Sequence, residues 1–214
     1  MTIKKNNLHN RIFKILRDRI VYMDYAPGKP LSEKEFCEEF KVSRTPLREA
    51  IRKLEDMKLV TVIPRYGSYV STVDINEIRS AFEVKIKLES LAGESAAKRI
   101  TADQLAELKA LIQKVDAPPK DGGHRHLIEM DARFHEIIYQ ATQNPILQEI
   151  LENLHGRCAR LWNSALSGLI PIATIISQLK EIYSSLERRN AENAAKLMEA
   201  HVRYFIDRIK SQLL

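Results

Sequence analysis

The stretch LSEKEFCEEFKVSRTPLREAIRKLEDM, residues 31–57, leaves few ways to fold. Two runs of helical periodicity are separated by Lys41-Val42 alone, which leaves room for a tight turn and nothing longer. Ser32 and Glu35 stand three apart, as a capping box requires, so a short helix begins there and runs to about Phe40. Leu31 closes that cap by packing on Phe36. Ser43 or Thr45 caps the next helix, and Pro46 falls in its first turn, where a missing N–H breaks no helix bond. Leu47, Ala50, Ile51 and Leu54 form the inward stripe. Arg44, Arg48 and Arg52 recur at i, i+4 on another face, with Thr45 beside Arg48.

The flanks complete a pattern. Leu8, Ile12, Ile15, Leu16, Ile20 and Met23 predict an amphipathic helix upstream, ended by Tyr25-Ala26-Pro27-Gly28. Downstream, LVTVIPRYGSYVS reads as two short β-rich runs around Pro64-Arg65-Tyr66-Gly67, a hairpin with a basic, aromatic tip. Three helices with a tight second-to-third turn and then a hairpin is the order of a winged helix-turn-helix. The helix after the turn enters the major groove in such a motif, with its first residues at the base edges. Arginine suits that position because its fork bonds guanine O6 and N7 together. The wing reaches backbone or minor groove, where Gly67 lets the chain approach closely.

Charge separates this reading from a protein-interaction module with a solvated basic helix. The chain carries a net charge of +6. Residues 1–73 hold 15 Lys and Arg against 9 Asp and Glu, and residues 74–214 hold 19 against 19. All the excess lies in the first third, as a module facing a polyanion requires.

From Val73 onward the chain shows no alternating β pattern. Amphipathic helices are predicted over roughly 74–99, 102–115, 123–142, 146–168, 171–189 and 191–213, with the clearest loop at 116–123. The fold class is therefore mostly α, with a winged helix-turn-helix and its small β-hairpin over 1–73 and an all-α bundle over 74–214. No apolar run approaches eighteen residues, and MTIKKNNLHNR lacks the apolar stretch of a signal peptide. Cys37 and Cys158 match no metal or redox spacing and read as small buried hydrophobes. A cytoplasmic protein without membrane partners is expected.

The bundle sequence breaks its apolar rule in MDARFHEIIYQATQNPIL. Asp131 and His135 adjoin the inward stripe of Phe134, Ile138 and Ala141, and His201 lies among Leu197, Met198, Tyr204 and Phe205. Groups of this kind need partners inside a bundle. Asp131 with His135 as an i, i+4 pair, beside a core His201, meets that need. A metal held by all three meets it as well, and oxygen and imidazole donors suit zinc, nickel or manganese.

The string PGKPLSEKEFCEEFKVSRTPLREAIRKLEDMKLVTVIPRYGSYV closely resembles the DNA-binding domain of the GntR family of bacterial transcriptional regulators. That resemblance covers residues 8–73 and implies that Lys34, Ser43, Arg44, Thr45, Arg48 and Gly67 approach DNA. Arg65 and Tyr66 join them as the hairpin tip. Arginine is common in the family where this chain has Lys34, and lysine holds a phosphate better than it reads a base. More diffusely, residues 75–212 resemble the FCD effector domain of the FadR branch, in its compact six-helix VanR-type form. The matching features are Asp131-x-x-x-His135 with Phe134, then Asn144-Pro145, and Ala194-Ala195 before His201. Metal-binding members use one Asp and three His. Asp131, His135 and His201 fall on three of those positions, and Leu179 stands where the fourth ligand is expected, with Gln178 and His155 as neighbouring substitutes. Lys85 falls where an Arg facing the effector is common.

These features together predict a ligand-responsive regulator, a homodimer on a palindromic operator in double-stranded DNA, repressing until a small carboxylate-bearing effector binds. A regulator that senses the metal itself is the alternative. A metal-dependent enzyme carrying a DNA-binding domain is disfavoured, because there is no His-Glu-x-x-His motif, no glycine-rich phosphate loop and no Ser-His-Asp or Cys-His constellation.

Overall fold

The computed structural model describes the backbone of residues 3–115, 123–165 and 171–213. The loop expected at 116–123 therefore lies outside the described residues except for Gly123, as does the expected helix end at 166–168. Contacts divide the chain into two compact units. One is Met1–Ile78 with Gly156–Ala165, and the other is Arg79–His155 with Leu166–Leu214.

The first unit opens with helix α1 (Ile3–Val21), strand β1 (Pro30–Leu31), and helices α2 (Glu33–Phe40) and α3 (Arg44–Asp56). Ser32 caps α2, its Oγ accepting from the Glu35 N–H at 3.3 Å. Lys41 then takes a left-handed conformation (φ 53°), which makes the two-residue turn tight enough to reverse the chain. Ser43 occupies the N-cap position of α3, though its side chain makes no capping bond there. Ile12, Leu16 and Ile20 of α1 pack with Leu47, Ala50, Ile51 and Leu54 of α3, joined by Leu31, Phe36, Leu59, Val60 and Val70. The whole inward stripe of α3 is thus consumed by the core, and its arginines are left outside.

Strands β2 (Val60–Ile63) and β3 (Gly67–Val70) form the expected hairpin, paired antiparallel from Val60–Val70 to Ile63–Gly67. The Tyr66 N–H closes the tip on the Ile63 carbonyl at 3.0 Å. Gly67 adopts φ 123°, a backbone that side chains rarely tolerate. The sequence patterns do not anticipate β1, whose two residues pair with Tyr69 and Ser68 to give a three-stranded sheet of order β1-β3-β2. Two residues carry no periodicity, and Pro30 is tolerated because β1 is an edge strand.

The second unit is built from α4 (Ile75–Arg99, entering at Arg79), α5 (Ala102–Val115), α6 (Gly123–Ala141), the first half of α7 (Pro145–Ala165), α8 (Ile172–Glu187) and α9 (Ala191–Leu213). Its helix starts are chemically marked. Thr101 and Gln104 exchange a full capping box at 3.2 and 3.0 Å, and Asn144 and Asn190 accept from the N–H groups of Leu147 and Asn193, both at 3.1 Å. Ala92, Ala96, Leu108, Phe134, Ile138, Leu151, Leu179, Ile182, Ala194 and Met198 belong to its buried core. Among the described residues no helix is long and apolar enough to cross a membrane.

Gly93 lets α4 lie close against α9. A Cβ built there lies 2.6 Å from the Ala194 carbonyl oxygen. Gly93→Ala gains roughly 1 kcal/mol of helix propensity and loses more, since overpacking against backbone costs about 1–3 kcal/mol. The expected result is a net destabilisation on urea unfolding; a variant more stable than the parent would show that the two helices part at no cost.

Candidate functional site

Two regions carry chemistry. On the first unit, α3 exposes Ser43, Arg44, Thr45, Arg48 and Arg52, and Lys34 is exposed near the start of α2. The hairpin tip exposes Arg65, Gly67 and above all Tyr66, at 80%. Arg48 is not loose: its Nε donates to both oxygens of Glu33, at 3.0 and 3.1 Å. That contact uses Nε, and the Nη1/Nη2 edge is the one that forks onto guanine. Glu33 is a residue the sequence patterns did not single out, because an acidic first turn reads simply as favourable to the helix dipole.

Within the second unit, α4, α6, α7, α8 and α9 each contribute a polar side chain to one buried network. Glu89 is completely buried. Its Oε1 accepts from Lys85 Nζ and from the Tyr139 hydroxyl at 2.5 Å, and His135 Nδ1 stands 3.3 Å away. His135 Nδ1 also lies 3.2 Å from the Tyr139 oxygen. The single hydroxyl proton of Tyr139 points to Glu89, so both atoms facing His135 Nδ1 are acceptors and that nitrogen carries the hydrogen. On the other side of the ring, Nε2 lies 3.8 Å from Asp131 Oδ2. His201 repeats the arrangement: Nδ1 donates to Gln178 Oε1 at 2.8 Å and Nε2 lies 3.1 Å from Asp131 Oδ1.

Electrostatics follow from this packing. Burial alone raises the Glu89 carboxyl, but His135 and Lys85 outweigh it and hold the group below the usual carboxylate range. Asp131 behaves alike, with burial opposed by His135 and His201. Burial, then Lys85 and His135, push His155 down to about 3, so it is a neutral imidazole at physiological pH.

Asp131, His135 and His201 each present one donor atom within 4.8 Å of the others. Donors about 2.0–2.1 Å from a tetrahedral zinc stand roughly 3.4 Å apart; His201 Nε2 lies 3.1 Å from Asp131 Oδ1 and His135 Nε2 lies 3.8 Å from the other oxygen, Oδ2, distances of that order. Both imidazoles have their Nδ1–H held by an acceptor, leaving Nε2 toward Asp131, which is how metal-bound histidines are oriented. The three residues therefore fit a divalent cation. Leu179 is buried and offers no donor. Gln178 is occupied with His201, and His155 does not group with Asp131 and His201. A second group, Glu89, His135 and His155, also lies within 4.8 Å. It makes a poor cation site, because Lys85 already neutralises Glu89 and His135 Nδ1 is a donor. Lys85, expected to face an effector, is 3% exposed and turned into this network. The i, i+4 pairs Lys85–Glu89 and His135–Tyr139 were available in the sequence as signals.

A winged helix-turn-helix with an outward arginine face defines a DNA-binding protein. The chain belongs to the gntR family of bacterial regulatory proteins, whose model matches residues 8–70, and residues 80–204 match the FCD domain. It is a transcriptional regulator rather than an enzyme. Over 95% of its length it is 28% identical to the HTH-type transcriptional repressor RspR of Escherichia coli K12, covering 89% of that protein. Over 70% of its length it is 30% identical to the galactonate operon transcriptional repressor of the same organism, covering 72% of it. The solved structure of E. coli McbR/YncC superposes with a TM-score of 0.84 at 22% identity, covering 97% of this chain and 99% of that one.

Lys85 is the counter-ion of a carboxylate with no access to water. Lys85→Met should cost about 3–5 kcal/mol in urea unfolding by leaving that charge unpaired, and adding Glu89→Gln should recover part of the loss. A cost below about 1 kcal/mol in the single variant, on the scale of an exposed pair, would mean that Glu89 finds its compensation elsewhere.

Proposed function

We propose that this chain is a one-component repressor whose residues 1–73 bind DNA and whose residues 74–214 dimerise and bind a small carboxylate effector. The observation that carries the reading is the oriented trio of Asp131, His135 and His201 in the helical unit of a DNA-binding chain. The two curated relatives named as repressors support the sign of control. A homodimer sets two α3 helices one helical turn, about 34 Å, apart on a palindromic operator. An effector changes operator affinity by binding one arrangement of the two DNA-binding units better than another.

Asp131, His135 and His201 would hold a divalent metal, which when bound supplies a Lewis-acid position for an effector carboxylate oxygen. Glu89 and Gln178 orient the two imidazoles, Lys85 balances Glu89, and the buried surroundings exclude water. Three donors leave a position open, which favours an effector-binding role over a regulator that senses the metal alone, since closed structural sites use four.

On DNA, Arg48 reads a base while Lys34 holds a phosphate. Arg48→Ala should lower operator affinity by about 1–3 kcal/mol and relax preference at one position. Lys34→Ala should weaken operator and random DNA alike and flatten the salt slope by about one. Fluorescence anisotropy at several salt concentrations reads both; equal losses on specific and random DNA for Arg48→Ala would remove its base-reading role.

For the metal, elemental analysis of purified protein should find one divalent ion per chain, lost in His135→Ala and in His201→Ala. Unchanged stoichiometry in both variants would rule out the trio as the site.

A further inference from the structure

We propose that Glu33 sets the sequence specificity of DNA binding by positioning the Arg48 guanidinium, and that its charge lowers general affinity for DNA. The proposal rests on the reading of Arg48 as a base-reading residue and names what holds it in place.

Arg44, Arg48 and Arg52 follow one another at i, i+4 on the exposed face of α3, and they are not equivalent. Among the described residues, Arg44 and Arg52 make no hydrogen bond or ion pair, whereas Arg48 Nε bonds both Glu33 oxygens across fifteen residues of sequence. No other hydrogen bond of Arg48 is formed among the described residues, so the N–H groups on Nη1 and Nη2 are uncommitted. Glu33 is itself firmly placed: Ser32 before it caps α2, and Leu31 and Phe36 on either side lie in the core. Leu47, next to Arg48, is buried as well.

Neither stability nor affinity accounts for a carboxylate at this place. The Arg48 and Glu33 side chains are 59% and 30% exposed. A pair so wet contributes little to folding, since water screens the charges and two long side chains lose freedom. An acidic residue in the first turn favours the helix dipole, but Glu35 stands in that turn of α2 too. Toward DNA the charge acts the wrong way, because a carboxylate on the basic face repels phosphates whatever the sequence. Specificity is a difference between affinities, and it gains on both counts. A guanidinium held at Nε by two oxygens loses rotational freedom before DNA arrives, so its fork meets guanine O6 and N7 with less ordering left to do. The same contact competes with phosphate for Arg48, which disfavours binding where no guanine stands opposite.

The test uses the full-length protein, a duplex it selects from a randomised library, the single-base variants of that duplex, and a duplex of random sequence. Fluorescence anisotropy gives the ratio of selected to random affinity for the parent, Glu33→Gln, Arg48→Ala and the double variant. Glu33→Gln should tighten random-sequence binding about two-fold by removing a repelling charge. It should lower the ratio about five-fold or more by loosening the fork. The base whose discrimination it loses should be the one that Arg48→Ala loses. In the Arg48→Ala background the change to Gln should leave the ratio unmoved. An unchanged ratio in Glu33→Gln overturns the proposal. So does an equal fall with Arg48 present and absent, which would make Glu33 a reader of DNA by itself or a residue of the fold. Either result leaves Arg48 standing as a base reader. If no preferred duplex emerges, or Arg48→Ala loses selected and random DNA alike, base reading by Arg48 fails and the role of Glu33 with it.

Discussion

The burial of the Glu89 carboxylate governs how the helical unit is arranged. A charge shut away from water is tolerated only with a counter-ion and donors in place, and each must come from a particular helix position. Lys85 supplies the charge from one turn earlier on α4, and Tyr139 and His135 supply donors from α6. Because Tyr139 gives its only proton to Glu89, the tautomer of His135 is fixed, and with it the direction of Nε2. Gln178 imposes the same choice on His201. The orientation of the imidazoles toward Asp131 is thus set at their Nδ1 edges, by Glu89 and Tyr139 for His135 and by Gln178 for His201.

The first unit solves a simpler problem by similar means. Its core takes the entire apolar stripe of α3, so the basic face is outward by necessity. Helix C-termini leave carbonyls without partners, and here the returning segment Gly156–Ala165 supplies donors. Arg157 Nε bonds the Met57 carbonyl at 3.1 Å, just past α3, and Asn163 bonds the Val21 carbonyl at 2.7 Å, at the end of α1. Arg160 donates to Ser71 beyond β3. The first and third helices are thus tied by a piece of chain from far along the sequence.

What could be read from the sequence follows from period and range. The helix-turn-helix was legible because its caps, turn and stripe are local, and Leu47, Ala50, Ile51 and Leu54 are all buried. The six helices from α4 onward were legible for the same reason. Strand β1 was not, because its two residues exist as a strand only through pairing with β3. Nor was the return of Gly156–Ala165, since a uniform helical pattern through α7 does not mark where its neighbours change. Asp131, His135 and His201 were visible as polar breaks on apolar faces, whereas Glu89 was hidden: an acidic residue four after a lysine reads as a solvated helix pair until its burial is known. The same ambiguity concealed Glu33, whose contact with Arg48 spans fifteen residues.

Leu179 stands where the family resemblance leads one to expect a fourth ligand. On α8 it continues the inward stripe of Ile175, Ile182 and Leu186, so its side chain serves the core and offers no donor. Gln178 remains next to it, bonded to His201 on the ring edge away from Asp131, so it orients a ligand instead of replacing one.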